Sequence, residues 1–268
     1  MVYIGAMVSL TWKLVALTVI IHFIDTLSYS VRLNSVRSGN FALSTSLFNL
    51  IVLVSRTANM LQGPLIGLMI DQSIRMNYDP VQDVRRVILA TTIGTLFGIF
   101  FIPTFLKLFG KAVTKLEATG SIPGLVIHGL SRGNMRRIAR TATKPTRGMV
   151  EGLRFKNIPK RLLLLNALIT GIYSIGVLAA YYSAIYVPEN RLAASASSGM
   201  INGVASILLT LFIDPKAAII TDEAYRGNRE FGDVKALVIM LIGTKFLGTL
   251  LGQLFLLPGA RFIAYFYR

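Results

Sequence analysis

Long apolar segments separated by short polar connectors run along the whole chain. Six segments reach the length of a membrane span, and they lie at about 10–31, 41–70, 86–106, 162–187, 193–221 and 234–257. About 20 predominantly apolar residues suffice for an α-helix to cross the hydrocarbon core of a bilayer. The pattern therefore predicts an all-α polytopic membrane protein with about six transmembrane helices, forming a single transmembrane domain over residues 1–268.

The second apolar segment is interrupted by polar and helix-breaking residues in LVSRTANMLQGPLIG, positions 53–67. An arginine in the middle of a span costs roughly 2.5–3.5 kcal/mol on insertion scales, so Arg56 should face a cavity or a partner. Its guanidinium also suits bidentate binding of a phosphate. We therefore expect Arg56, Asn59 and Gln62 to contact an anionic head group in a water-filled cavity. The alternative for the two amides is hydrogen bonding between neighbouring helices.

An internal repeat relates two parts of the chain. Residues 40–75 align without gaps with residues 191–226. The matched positions include Ser55/Ser206, Pro64/Pro215, Asp71/Asp222 and Arg75/Arg226. A second pair of blocks, GTLFGIFFIP at 94–103 and GTLLGQLFLLP at 248–258, follows in the same order. Two matched blocks in one order favour a repeat over chance similarity of composition.

Each half, residues 8–106 and 162–268, would contain three spans. An odd number forces the second half to enter the membrane from the opposite side, which makes an inverted 3+3 repeat. Inverted repeats with broken helices at corresponding positions are a recurrent design of transporters. A proline removes one backbone donor and disturbs its helix, so Pro-broken helices are expected in both halves. The expected breaks are at Gly63, Pro64, Asp214 and Pro215.

A second group of polar residues shares one face of the first span. Its members, at helical spacing, are His22, Asp25, Tyr29 and Arg32. Asp25 is the expected intramembrane partner of Arg56 or of His22, and either pairing could be structural. A titrating pair of His22 and Asp25 could instead couple protons to movement. Arg32, and Lys245 in the sixth span, are further candidates for binding an anion.

The charge of the chain is concentrated in one connector. The formal net charge is +16, and the connector 107–161 carries thirteen Lys and Arg residues against Glu117 and Glu151. Basic connectors of membrane proteins lie on the cytoplasmic side, next to anionic lipid. We therefore expect a cytoplasmic connector, contact with anionic membrane lipids, and both termini outside. No nucleic-acid partner is expected, because no folded reader motif accompanies the basic residues.

Composition narrows the chemistry further. The chain is 53% hydrophobic, with a mean hydropathy of +0.62, and contains no cysteine. Thiol catalysis is therefore excluded, and the two histidines, His22 and His128, are too far apart in sequence to suggest a metal site. The chain has no phosphate-binding P-loop and no nucleophile-elbow motif. We expect a protein that is not an enzyme and that uses no cofactor and no metal.

Three stretches resemble the alternate lipid II flippase family (Amj) of bacteria. They are HFIDTLSYSVRLNSVRSG at 22–39, LSTSLFNLIVLVSRTANMLQGPLIG at 43–67 and FIDPKAAIITDEAYRG at 212–227. The resemblance implies export of lipid II, an undecaprenyl-pyrophosphate-linked disaccharide-pentapeptide, across the bacterial cytoplasmic membrane during cell-wall synthesis. It assigns no role to any single residue, so every candidate site residue above comes from its own chemistry.

The favoured hypothesis is therefore a lipid II flippase that works by alternating access. A polar cleft open sideways to the bilayer would carry the pyrophosphate and its sugars while the polyprenyl tail stays in lipid. Two alternatives stay open: a polyprenyl-phosphate-processing membrane enzyme using His22, Asp25 and Arg56, and a non-catalytic scaffold of cell-wall synthesis.

Overall fold

The computed structural model describes residues 2–129, 140–144, 146 and 151–268. All regular structure in these ranges is helical. Six segments are long and apolar enough to cross a membrane: Met7–Ser38, Phe41–Arg75, Val81–Thr119, Lys160–Ser183, Pro188–Tyr225 and Phe231–Tyr265. The predicted all-α fold with six spans is confirmed. Within the basic connector 107–161, most of the segment 131–148 lies outside the described residues.

The spans are built from ten α-helices and three short turns within the described ranges. The helices are α1 (Val2–Ser28), α2 (Val31–Ser38), α3 (Phe41–Arg75), α4 (Val81–Thr119), α5 (Ile122–Gly129), α6 (Lys160–Ser183), α7 (Arg191–Ala196), α8 (Ser198–Leu208), α9 (Asp214–Tyr225) and α10 (Phe231–Tyr265). Short 3-10 turns precede α6 and α7, at Phe155–Asn157 and Pro188–Asn190, and a π-helical turn, Leu209–Ile213, joins α8 to α9. The first span is α1 with α2, and the fifth span runs from α7 through α9.

Glycines set the packing at the centre of the bundle. A Cβ atom added to Gly94 of α4 would come within 2.5 Å of the Val19 carbonyl oxygen on α1. A Cβ atom added to Gly248 of α10 would come equally close to the Ala167 carbonyl oxygen on α6. Only glycine permits such close backbone contact. The first and third spans of each half are therefore packed tightly together, and α3 and the fifth span lie at the periphery.

Contacts between distant segments establish which loops share an end of the bundle. Asn157, before α6, donates a 3.0 Å hydrogen bond to Asp233 at the start of α10. The end of α4 and the segment that begins at residue 151 lie at the same end, which is called the connector end. At the opposite end, Asn190 donates a 2.8 Å hydrogen bond to the carbonyl of Tyr267. That end carries both chain ends and is called the terminus end.

The expected break at Gly63 and Pro64 is wrong, because α3 runs as one α-helix from Phe41 to Arg75. Pro64 is exposed, and a single missing hydrogen bond leaves the backbone ladder intact on both sides. The fifth span is irregular instead. Its π-helical turn ends immediately before Asp214 and Pro215. In a regular α-helix the ring of Pro215 would clash with the carbonyl group of Leu211. The wider π-helical turn contains Leu211 and so avoids this clash.

The third span also extends further than its apolar segment indicated. The expected boundary between the first half and the connector, at 106, falls inside α4, which continues to Thr119. Phe109, Val113 and Leu116 are buried there against Val31 and Leu47. Their burial explains why the helix does not end where the lysines begin.

Candidate substrate cleft

A cleft lies between the two halves of the bundle. Helices α1, α6 and α10 form its floor, and α3 and the fifth span form its walls. The empty space up to its open mouth is about 910 Å³. Six of the residues singled out from the sequence line it: His22, Asp25, Arg32, Arg56, Asp214 and Lys245. Charges that are far apart in the sequence therefore meet at one place, near the middle of α3 and α10.

Lys245 is the most deeply placed cation of the cleft, with 4% of its surface exposed. Among the described residues, its ammonium group has no hydrogen bond and no ion pair. Its nitrogen lies 5.5 Å from the centroid of the Tyr29 ring. A buried charge without a close counterion is costly unless a ligand or a carboxylate compensates it. Lys245 therefore provides an unfilled position for an anion.

Arg32 and Arg56 lie nearer the mouth of the cleft. Arg32 forms a 3.1 Å ion pair with Asp214, which connects α2 to the first residue of α9 across the cleft. Arg56 is exposed on α3, and it has no ion pair among the described residues. Both guanidinium groups can present paired donors to a phosphate.

Asp25 has a different partner from the expected one. Its carboxylate accepts a 2.5 Å hydrogen bond from the hydroxyl of Ser55 on α3, and the pairing with Arg56 or His22 is not formed. Successive helical residues are turned by about 100°, so Ser55 faces α1 and Arg56 faces the mouth. Ser55 was missed as a site residue, although its position beside Arg56 on a polar helix face was a usable signal.

His22 is buried at the floor, with 6% of its surface exposed. Its Nδ1 atom has no hydrogen-bond partner among the described residues. The imidazole lines both the main cleft and a small pocket next to it. A buried ring nitrogen without a partner is a rare condition in folded proteins, and it leaves His22 able to bind a polar group.

The two amides predicted to contact substrate lie outside the main cleft. Gln62 is buried and donates a 2.6 Å hydrogen bond to the hydroxyl of Thr18 on α1. This is the helix-to-helix bonding considered as the alternative. Asn59 lines the small neighbouring pocket together with His22 and Tyr173. Of the polar residues in α3, only Arg56 lines the main cleft. Ser55 does not line it, but it contacts the cleft residue Asp25.

The cleft is closed toward the terminus end. There Gly63 and Gly67 of α3 lie against the ring of Tyr181 on α6. An added Cβ at either glycine would be only 3.2 Å or 3.0 Å from atoms of that side chain. Two residues of the same stretch of α3, Ile66 and Met69, are fully buried in the core. The second half of α3 therefore seals the cleft, and Tyr181 is a residue that the sequence did not indicate.

The cleft continues toward the connector end. A second groove shares Arg32, Phe48 and Asp214 with it, and the empty space of this groove is about 880 Å³. At its far end the rings of Phe41 and Tyr225 meet edge to face, with centroids 4.9 Å apart. One continuous path therefore leads from Lys245 toward the connector end.

A bundle of six membrane spans around a charged cleft defines a multi-pass membrane protein. The family model described as Amj, Alternate to MurJ, matches residues 17–267. The chain belongs to this family. It is 38% identical over 248 residues to a protein named lipid II flippase Amj from Bacillus subtilis (strain 168), covering 92% of each chain. No solved structure matches the chain.

Proposed function

We propose that this protein is a lipid II flippase of the bacterial cytoplasmic membrane. In this proposal it carries the undecaprenyl-pyrophosphate-linked disaccharide-pentapeptide across the bilayer by alternating access, without covalent chemistry. Membership of the Amj family and the similarity to a protein named as a lipid II flippase support this function. The structural observation that carries it is the buried ammonium of Lys245, without an ion pair in the described ranges, at the floor of a half-open cleft.

The charges of the cleft suit a diphosphate. Arg32, Arg56 and Lys245 face two carboxylates, Asp25 and Asp214, which leaves an excess of positive charge when His22 is neutral. A diphosphate diester, which carries two negative charges, would more than neutralise this excess and would supply a counterion to Lys245. Its sugars and peptide would occupy the groove toward the connector end.

The two walls of the cleft contact each other at both ends, and in this proposal the polyprenyl tail stays in lipid between those contacts. At the connector end Phe41 of α3 contacts Tyr225 of α9. At the terminus end Asp71 of α3 lies 3.7 Å from Arg191 of α7. In this proposal the head group enters between these contacts from the side of the bilayer, as a lipid whose head group alone crosses the membrane requires.

The charge distribution supports an orientation. Of the positive residues outside the spans, 19 Lys and Arg residues belong to connectors assigned to the connector end, and 6 belong to the terminus end. By the positive-inside rule the connector end is cytoplasmic and both termini are outside. In that orientation the cleft is open toward the cytoplasm. The exposed Lys107 and Lys111 on α4 would then face the anionic inner leaflet.

The orientation has a direct test, because the chain contains no cysteine. Single cysteines at Thr119 and Arg268 place one label at each end of the bundle. A membrane-impermeant thiol reagent added to intact cells should label Arg268→Cys and spare Thr119→Cys. Labelling of Thr119→Cys from outside would show that the protein has the opposite orientation.

The inverted repeat supports alternating access. The Gly94 contact with Val19 in the first half has its counterpart in the Gly248 contact with Ala167 in the second. The gapless alignment also relates the two ends of the cleft, since it matches Asp71 with Asp222. An outward-open state would then exchange the roles of the two ends, so that the Tyr181 seal opens and the connector end closes.

Transport and enzymatic processing can be separated in one preparation. The purified full chain is reconstituted into lipid vesicles that contain labelled lipid II, and the movement of intact lipid II and the release of inorganic phosphate are both measured. The proposal predicts movement without phosphate release. Phosphate release without movement would favour the polyprenyl-phosphate-processing enzyme, and neither activity would favour a scaffold.

A further inference from the structure

The ring of Tyr29 lies close to two cations that come from different halves of the protein. The guanidinium carbon of Arg32 is 5.9 Å from the ring centroid, and the Lys245 nitrogen is 5.5 Å from it. Both values fall within the range of about 6 Å in which an aromatic face attracts a cation. Tyr29 therefore holds together two positive charges that would otherwise repel each other.

The ring itself is fixed by the second half of the protein. Its hydroxyl lies 3.5 Å from the side-chain oxygen of Asn166 on α6, and donates to it. The Asn166 amide is held in turn by hydrogen bonds of 2.9 Å to the Leu241 carbonyl and 2.8 Å to the Thr244 hydroxyl. Both acceptors belong to α10, the helix that carries Lys245. The ring also packs against a hydrophobic cluster that includes Ile169 of α6 and Leu241 of α10, so its position relative to Lys245 does not depend on the long hydroxyl bond alone.

The two cations differ in how they are compensated. Within the described ranges Lys245 has no ion pair, whereas Arg32 is paired with Asp214, whose side chain is 55% exposed at the edge of the cleft. An exposed carboxylate is a weak competitor, because solvent screens its attraction for the guanidinium. A phosphate group can therefore replace Asp214 at Arg32 while a second one binds Lys245.

We propose that Tyr29 is a positioning residue that holds Arg32 and Lys245 beside one ring so that a single diphosphate can reach both, and that the cleft therefore selects diphosphate-linked over monophosphate-linked polyprenyl lipids. This inference rests on the proposed function. A diphosphate supplies one phosphoryl group to each cation. A monophosphate supplies only one, and leaves the other cation without a ligand.

The test compares binding of two probes to the purified full chain in detergent. They are an undecaprenyl diphosphate-linked sugar and the undecaprenyl monophosphate-linked form of the same sugar. Wild type and Tyr29→Phe, which keeps the ring, should bind the diphosphate at least about tenfold more tightly than the monophosphate. Tyr29→Leu and Lys245→Met should bind the two within about twofold of each other. Tyr265→Leu, at an exposed tyrosine near the end of α10, should behave as wild type.

Three outcomes would overturn the inference. They are equal affinities in the wild type, a full preference retained by Tyr29→Leu or by Lys245→Met, and a preference lost in Tyr29→Phe. If Tyr29→Leu fails to fold, Tyr29→Met, which also removes the ring, takes its place. Flipping is measured on the same wild-type preparation: if it moves lipid II but binds both probes equally, the inference alone fails. If it moves no lipid II, the proposed function fails whatever the ratio of affinities.

Discussion

Ser55 on α3 donates a 2.5 Å hydrogen bond to the carboxylate of Asp25 on α1. The acid nearest the floor of the cleft is therefore held by a neutral hydroxyl and forms no ion pair with Arg56. Since that carboxylate is already engaged, Arg56 and Lys245 are left for an incoming anion. The arrangement explains how an acid and two bases can share one cleft without neutralising each other.

Removing the Ser55 hydroxyl should weaken substrate binding. A hydrogen bond to a charged group contributes about 1.5–3 kcal/mol, and in Ser55→Ala the released carboxylate would compete with the substrate diphosphate for Arg56 and Lys245. We expect the Kd for lipid II in detergent to rise about tenfold. Ser55→Thr keeps the hydroxyl and serves as the control. Adding Asp25→Asn to Ser55→Ala should restore the affinity, and failure of that rescue would show that Asp25 does not compete.

The contact of Tyr181 with Gly63 and Gly67 should open during transport. A double variant, Gly67→Cys with Tyr181→Cys, joins α3 to α6 when it is treated with a short bifunctional thiol reagent. Because the second half of α3 could then no longer leave α6, transport of lipid II into vesicles should stop. A reducible reagent should allow recovery once its disulfide is cleaved.

The two single cysteine variants, treated in the same way, are matched controls for this experiment. Both should keep their transport after treatment, because a single modified cysteine cannot join the helices. Full transport by the cross-linked double variant would show that the outer seal lies elsewhere.

The spans, and most of the charged residues of the cleft, could be predicted from the sequence. A charged residue inside a membrane span is stable only in a cavity or next to a partner, so its presence there already indicates a site. His22, Asp25, Arg32, Arg56 and Lys245 were singled out for that reason, and all five line the cleft. Their pairing could not be predicted, since it depends on how far each helix is rotated and shifted against its neighbour.

Two further features required the packing of the structure. The seal depends on Tyr181, which looks like any apolar residue of a span until the facing Gly63 and Gly67 are known. The continuity of α3 at Pro64 was also beyond the sequence, because an exposed proline disturbs only its own turn and leaves the helix direction to tertiary contacts. The matched prolines therefore indicate a repeat in sequence without an identical backbone.

Pro64 should influence the rate of transport more than the affinity for substrate. It lies between the first half of α3, which borders the cleft, and the second half, which seals it. The missing backbone donor makes this turn easier to bend, so Pro64→Ala should stiffen α3. We expect a several-fold lower turnover and an unchanged Kd for lipid II.

Pro258 provides the matched control, since it is also an exposed proline inside a long helix. Pro258→Ala should leave turnover unchanged, because α10 belongs to the packed centre of the bundle. Equal turnover of Pro64→Ala and wild type would remove the hinge role of Pro64.

Proton coupling through His22 and Asp25 makes a separate prediction. An imposed pH gradient across the vesicle membrane should change the initial rate of lipid II transport, and His22→Gln should abolish that response while lipid II binding is retained. Asp25→Asn should act in the same direction. A wild-type rate that is insensitive to the gradient would leave both residues with electrostatic roles only.

The central claim is that the cations of the cleft bind the head group of lipid II, and Arg56 tests it most directly because it is exposed and forms no ion pair within the described ranges. Transport of labelled lipid II is measured in vesicles that contain equal amounts of inserted wild type, Arg56→Gln, or the control Arg261→Gln, whose arginine is exposed near the end of α10. The account predicts at least about a tenfold loss of transport in Arg56→Gln, equivalent to about 1.4 kcal/mol, and none in Arg261→Gln. Wild-type transport by correctly inserted Arg56→Gln would contradict it.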